Sequence, residues 1–224
     1  MVAIITADLV DSSLYEDDLL ETVLNELKKE FNEIQHLYEA QDIRFNIFRG
    51  DSFQGIIKEP QNALRIALQI KAAVNQLQSG ENKKNNRASS KVADFRMALG
   101  IGTIDFERDS ISESNGQAFQ FSGRTLDEMK NESQRTKIKT PVEEINEEFN
   151  TSFFLLDMLI EKWSTASAEV VYYSLKGLKE REIAEKLNIS QSAVNQRKKA
   201  SGWEAISRLV DRYEQVMEKN FGHG

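Results

Sequence analysis

The chain has no cysteine, only two histidines and no apolar run long enough to cross a membrane. Without thiols there are no disulfides, no thiolate nucleophile and no Cys-based metal site. With only His36 and His223, a histidine-rich zinc site is not expected either. The opening MVAIITAD reaches an acid too soon for a secretory signal, so the expected compartment is the cytoplasm, with no membrane partner. Basic residues are outnumbered, 29 Lys and Arg against 36 Asp and Glu. The 224 residues carry a formal net charge of -7, which argues against general coating of nucleic acid. The deficit is uneven: from Ser164 onward ten Lys and Arg stand against eight Asp and Glu, about +2, compared with about -9 upstream.

What is present has a readable order. Val2 to Thr6 is apolar and β-branched, a short buried strand, and Ser12 or Ser13 is placed to cap a following helix. Leu20, Val23, Leu24, Leu27, Phe31, Ile34 and Leu37 recur every three or four residues and predict one long amphipathic helix. Ile43 to Phe48 and Ser52 to Ile57 read as strands joined by a tight Arg49-Gly50-Asp51 turn. A second helix follows Pro60, with Leu64, Ile66, Ala67, Ile70, Val74 and Leu77 inward. The polar run Ser79 to Lys91 has nothing to bury and predicts a mobile loop, and Phe95 to Ile104 supplies a fourth strand. Asn131 to Thr151, broken by Pro141, reads as a partly helical connection, and from Phe153 only helices are expected. Strand, helix, strand, strand, helix, strand is the split arrangement of ferredoxin-like and palm domains. In that topology the end of the first strand and the hairpin share one rim, which makes Asp8 and Asp51 neighbours.

Two carboxylates on a rim suit Mg or Mn, which take oxygen ligands and bridge nucleotide phosphates. Arg124 is the candidate for the remaining phosphate charge, with Gln120 one turn earlier on the same helix face. Bland readings stay open beside this one. Asp8 and Asp11 also suit helix capping, Asp51 after Gly50 also suits hairpin chemistry, and Arg124 also suits a surface ion pair. Gly100-x-Gly102 lacks the next glycine of a dinucleotide loop and reads as strand packing.

These residues resemble the catalytic domain of class III adenylate and guanylate cyclases. TADLVDSS (Thr6 to Ser13) is similar to that family's first strand and polar turn, with Asp8 in the metal position. RGDSFQG (Arg49 to Gly55) places Asp51 as the second metal aspartate, after Gly50. Gly116, Gln120 and Arg124 match the spacing of a glycine, asparagine and arginine, and FRMALGIG (Phe95 to Gly102) resembles the fourth strand. Gln120 replaces the usual asparagine, and Ile47 falls near a base-reading lysine. The resemblance implies Mg or Mn on Asp8 and Asp51, and a nucleoside triphosphate near Gly50, Glu113 and Gly116. It also implies a head-to-tail homodimer in which Gln120 and Arg124 face the partner's acids.

Downstream, Leu178, Ile183, Ala184, Leu187, Ile189 and Val194 are spaced to pack two short helices across a turn at Asn188 to Ser190. The segment EIAEKLNISQSAVNQR resembles the helix-turn-helix of bacterial sigma factors and related regulators. Gln191, Ser192, Asn195 and Gln196 could then reach base edges, and Arg197, Lys198 and Lys199 phosphates, with DNA as partner. A helical docking domain with a solvated basic face is the alternative. Trp163, Trp203, Tyr172 and Tyr173 read as core. Taken whole, GDSFQG, FRMALGIG, FQFSGRTLD and the helical tail resemble the bacterial SatD family. The expectation is an α+β protein: a ferredoxin-like, cyclase-like palm domain over 1–135, a connecting segment over 136–163 and an all-α helix-turn-helix domain over 164–224. Three functions fit it: a DNA-binding transcriptional regulator with a nucleotide- and metal-binding sensor domain, a nucleotide cyclase or nucleotidyltransferase with a helical targeting or regulatory module, or a degenerate scaffold in which both domains only mediate protein contacts.

Overall fold

A computed structural model describes residues 1–39, 42–48, 50–78, 91–108 and 111–222. Arg49, nearly all of the polar run from Ser79, and His223 lie outside the described residues. The protein is mixed α+β. Its elements are β1 (Val2–Leu9), α1 (Asp17–Leu37), β2 (Arg44–Phe48), β3 (Ser52–Ile57), α2 (Ala63–Asn75), β4 (Phe95–Gly102), α3 (Gln117–Met129), β5 (Thr136–Lys139), α4 (Glu143–Glu161), α5 (Thr165–Leu175), α6 (Glu180–Leu187), α7 (Gln191–Ser201) and α8 (Trp203–Phe221).

The strands order as β2-β3-β1-β4-β5. The first four pair antiparallel, and β1 and β2 point the same way, as the split arrangement requires. The period-two alternation of β1 divides its side chains between two layers. Ala3, Ile5, Ala7 and Leu9 join the apolar cluster shared with α1 and α2, whereas Ile4 packs with Ala118 of α3 on the other face. That second layer is tight because β4 is glycine there. A Cβ on Gly100 would stand 2.2 Å from the Ala118 carbonyl oxygen, so the Gly100-x-Gly102 pattern does serve strand packing.

Three expectations are corrected. β1 runs on to Leu9 instead of ending at Thr6, so Asp8 lies inside the strand, opposite Ser52 and Arg96. Neither Ser12 nor Ser13 caps α1. Asp11 adopts a left-handed conformation, Ser12–Leu14 forms a 3-10 turn and α1 begins only at Asp17. The polar connection hides a fifth strand, β5, parallel to β4, and α4 begins at Glu143, well before Phe153.

β5 is an edge strand, and α4 covers it. Ile145, Phe149, Phe153, Leu156 and Ile160 form the helix's buried stripe. Beside that stripe runs a polar row. Asn150 accepts from the Ile138 N–H and donates to its carbonyl. Asn146 does the same for Thr140, and Asp157 accepts from the N–H groups of Arg135 and Thr136. Two side-chain amides and a carboxylate thus stand in for the missing neighbour strand.

Every residue of α2 except Arg65 is buried. Its outer side is covered by α5 and α8, and one apolar cluster runs from the sheet through α2 to Trp163, Tyr213 and Phe221. The polar groups of α2 are therefore paired inside. Gln69 donates to Glu30 at 2.6 Å, and Asn75 donates to Ala93 and Asp94. Lys71 Nζ lies 2.8 Å from Asp94 Oδ1 and donates to the Phe95 carbonyl. Asp94 also binds Arg135 at 2.7 Å, with Lys91 at 3.6 Å. Burial pushes the Asp94 carboxyl up, but the Lys71 and Lys91 cations outweigh it and hold it well below the usual carboxylate range. Among the described residues no helix is long and apolar enough to cross a membrane.

Asp94→Asn leaves the Lys71 ammonium buried without a counter-charge and is expected to cost about 3 kcal/mol at neutral pH. Because the folded-state pKa of Asp94 is lowered, its contribution is complete above its ordinary value of 3.8 and fades as pH falls through the lowered one. Urea midpoints of wild type and variant should therefore differ fully at pH 7 and converge in acid.

Candidate metal and nucleotide site

The rim at the end of β1 collects the first constellation. Asp8 projects from the α3 side of the sheet, and the β2–β3 turn brings Asp51 beside it. The Leu9 N–H donates to the Asp51 carbonyl at 2.8 Å, which locks turn to strand. Gly50 holds a φ of +79°, a conformation glycine adopts at little cost. Ser12 donates to Asp51 Oδ2 at 3.1 Å, so this serine serves the rim instead of a helix cap. Asp8 and Asp51 thus lie at one rim of the sheet.

Arg96 is the residue that sequence reasoning missed. Its Nε lies 2.8 Å from Asp8 Oδ1, but both atoms are buried and off the line of a hydrogen bond. Burial raises the Asp8 carboxyl above its ordinary value; Arg96 and Lys130 pull it down, and Asp51 adds to the rise. A signal existed: Arg96 is the lone charge in an apolar strand, although only the register shows that it faces Asp8.

Two carboxylates that repel each other, one with a buried oxygen lacking an aligned donor, fit a divalent cation. Mg and Mn need only one or two protein carboxylates when phosphates and water complete the shell. Among the described residues no group of three or more His, Cys, Asp or Glu could hold a metal ion.

The other expected residues lie elsewhere. Gln120 and Arg124 stand exposed on the outer face of α3, whose buried side is Ala118, Ser122, Thr125, Leu126 and Met129. Neither bonds Asp8 or Asp51 within the chain. Glu113 is exposed in the 3-10 turn Ile111–Glu113. Gly116 is buried, and a Cβ there would meet the Thr103 carbonyl oxygen at 2.6 Å. Ile47 packs against the main apolar cluster.

In the tail, Asn188 is left-handed and Ser190 Oγ accepts from the Ala193 N–H at 3.1 Å, which starts α7. Val170, Ile183, Ala184 and Val194 bury the seam. Gln191, Ser192, Asn195, Gln196 and Lys199 are exposed. Arg197 is instead half-buried on Glu169 at 2.9 Å, and Lys198 lies 3.5 Å from Glu180. Trp163 and Tyr172 are core residues, as expected: the Trp163 indole donates to Ser201, and the Tyr172 hydroxyl to Glu30.

No family model matches the chain and no curated protein does, so the SatD resemblance rests on the quoted residues alone. Among solved structures the chain is similar to a bacterial light-regulated adenylyl cyclase, with 13% identity, 61% of this chain and 74% of that chain covered, and a TM-score of 0.39. It is also similar to the guanylyl cyclase Cya2, with 13% identity, coverage of 57% and 69%, and a TM-score of 0.35. Likeness at this level transfers neither an activity nor a site.

Arg96→Gln removes an attraction that lowers the Asp8 pKa, so Asp8 should titrate at still higher pH. Carboxyl-carbon NMR across a pH series reads the shift, and an unmoved Asp8 signal would show that the two groups do not interact.

Proposed function

We propose that the chain binds a nucleoside triphosphate with Mg or Mn and cyclises it, the ribose hydroxyl attacking the α-phosphate with pyrophosphate as leaving group. The observation that carries this reading is the convergence of Asp8 and Asp51 on one sheet rim, with Arg96 behind Asp8. Asp8 and Asp51 would hold the metal. Bound there, it supplies positive charge against the charge that builds on the phosphates. Arg96 beside Asp8 pulls its carboxyl down against the rise that burial causes. Gln120 and Arg124 are exposed and would act on a second copy, the acids of one protomer facing the exposed α3 side of its partner.

A second reading, DNA binding by the tail, is supported by the left-handed Asn188, the Ser190 cap and the exposed polar row of α7. In that reading nucleotide occupancy would bias how two such tails are spaced. Arg197 and Lys198 are occupied by acids, whereas Gln191, Ser192, Asn195, Gln196 and Lys199 are exposed and would meet DNA.

Incubation with each nucleoside triphosphate and Mn, followed by mass spectrometry, should yield a cyclic product for at least one base, and Asp51→Asn should reduce it more than 100-fold. Absence of product from every triphosphate would sink the cyclase reading. For the tail, Gln196→Ala with Lys199→Ala should weaken DNA binding and flatten its salt dependence in a fluorescence-anisotropy titration; wild-type affinity in that variant would remove the second reading.

A further inference from the structure

Beside the carboxylate pair the rim opens into a pocket of about 550 Å³, within the size range of small-molecule sites. Its two walls differ in chemistry. Arg96, Lys130 and Arg135 line the sheet side, and Phe154 and Met158 of α4 line the other. Phe154 and Met158 are each 47% exposed, an expense of apolar surface to water that the packing of α4 does not require. Most acids of the lining are already engaged, and its cations are paired too, Lys130 with Asp127 outside the pocket at 2.7 Å. Asp94 binds Lys71 and Arg135, Asp157 accepts from the backbone of β5, and Glu132 pairs with Lys137. Asp11 and Glu161 remain. Arg96 joins pocket and pair, because the same side chain lies on Asp8 and lines the cavity.

We infer, resting on the nucleotide reading above, that this pocket holds the nucleotide within a single chain. Phe154 and Met158 take the base, and Arg96 and Lys130 guide the phosphates toward Asp8 and Asp51. A nucleotide has the matching division, a flat face that stacks on aromatic and thioether groups and a polyanionic end. The base is then read in cis by α4, not across a dimer seam. The placement also reaches the tail. On its other side α4 packs Phe149 and Phe153 against Tyr213 of α8, and Glu148 pairs with Arg212, so an occupant pressing on α4 presses on the helical region.

Calorimetric titration of the full chain with Mn and a nucleoside triphosphate, and separately with Mn and inorganic triphosphate, tests this. The double variant Phe154→Ala, Met158→Ala should weaken nucleoside triphosphate binding about tenfold, with inorganic triphosphate binding and the melting curve unchanged. Lys130→Gln should weaken both ligands. Wild-type nucleotide affinity in the double variant overturns the pocket and leaves the nucleotide reading standing. Equal weakening of both ligands in the double variant overturns it too, since no base wall was then removed, and so does a Lys130→Gln variant that loses neither. If no nucleoside triphosphate binds the wild type, the nucleotide reading falls and the pocket with it.

Discussion

At the start of β4 a single carboxylate gathers cations from three parts of the chain. Asp94 holds Lys71 from inside α2, Arg135 from the approach to β5, and Lys91 from the segment just before it. Lys71 is fully buried, so its ammonium must be paired, and that requirement fixes where β4 begins relative to α2. The same residue anchors β1 and the loop beyond it, since its carbonyl accepts from Val10 and its N–H donates to Tyr15. Two residues further along, Arg96 falls opposite Asp8. The geometry of the rim follows from a pair that bonds neither Asp8 nor Asp51.

Much of this was legible in order and little in register. Periodicity located α1, β2, β3 and β4 to within a few residues, and topology alone joined Asp8 to Asp51, because those signals are local or combinatorial. β5 escaped because Thr136–Lys139 is four residues with two lysines, too short for an alternation to stand out; its pairing comes from β4 on one side and helix amides on the other. The helix-capping expectation failed because Asp11 turns left-handed and Ser12 is drawn across to Asp51. Arg96 and the α4 wall were invisible for the same reason: each gains its meaning from a neighbour supplied by tertiary packing.

The all-helical stretch begins at Glu143 instead of Phe153, and the packing continues across that boundary. α2 is wrapped by the sheet and α1 on one side and by the tail on the other. Glu30, wholly buried in α1, accepts from Gln69 of α2 and from the Tyr172 hydroxyl of α5. Burial raises its carboxyl above the ordinary value, and Lys176 on Glu33 closes the same seam. Arg65 reaches Glu214 of α8 at 2.7 Å. A rearrangement of the helical region therefore bears on α1, α2 and α4, of which α2 and α4 line the pocket beside the rim.

The amide row of α4 has a consequence for assembly. A sheet normally offers two borders along which another chain can be stitched by its backbone, and here the β5 border is occupied by Asn146, Asn150 and Asp157. β2, at the opposite end, is the only border of the sheet left for such stitching among the described residues. Copies of this chain that meet anywhere else must do so through side chains, the kind of contact that can be remade when a ligand comes and goes.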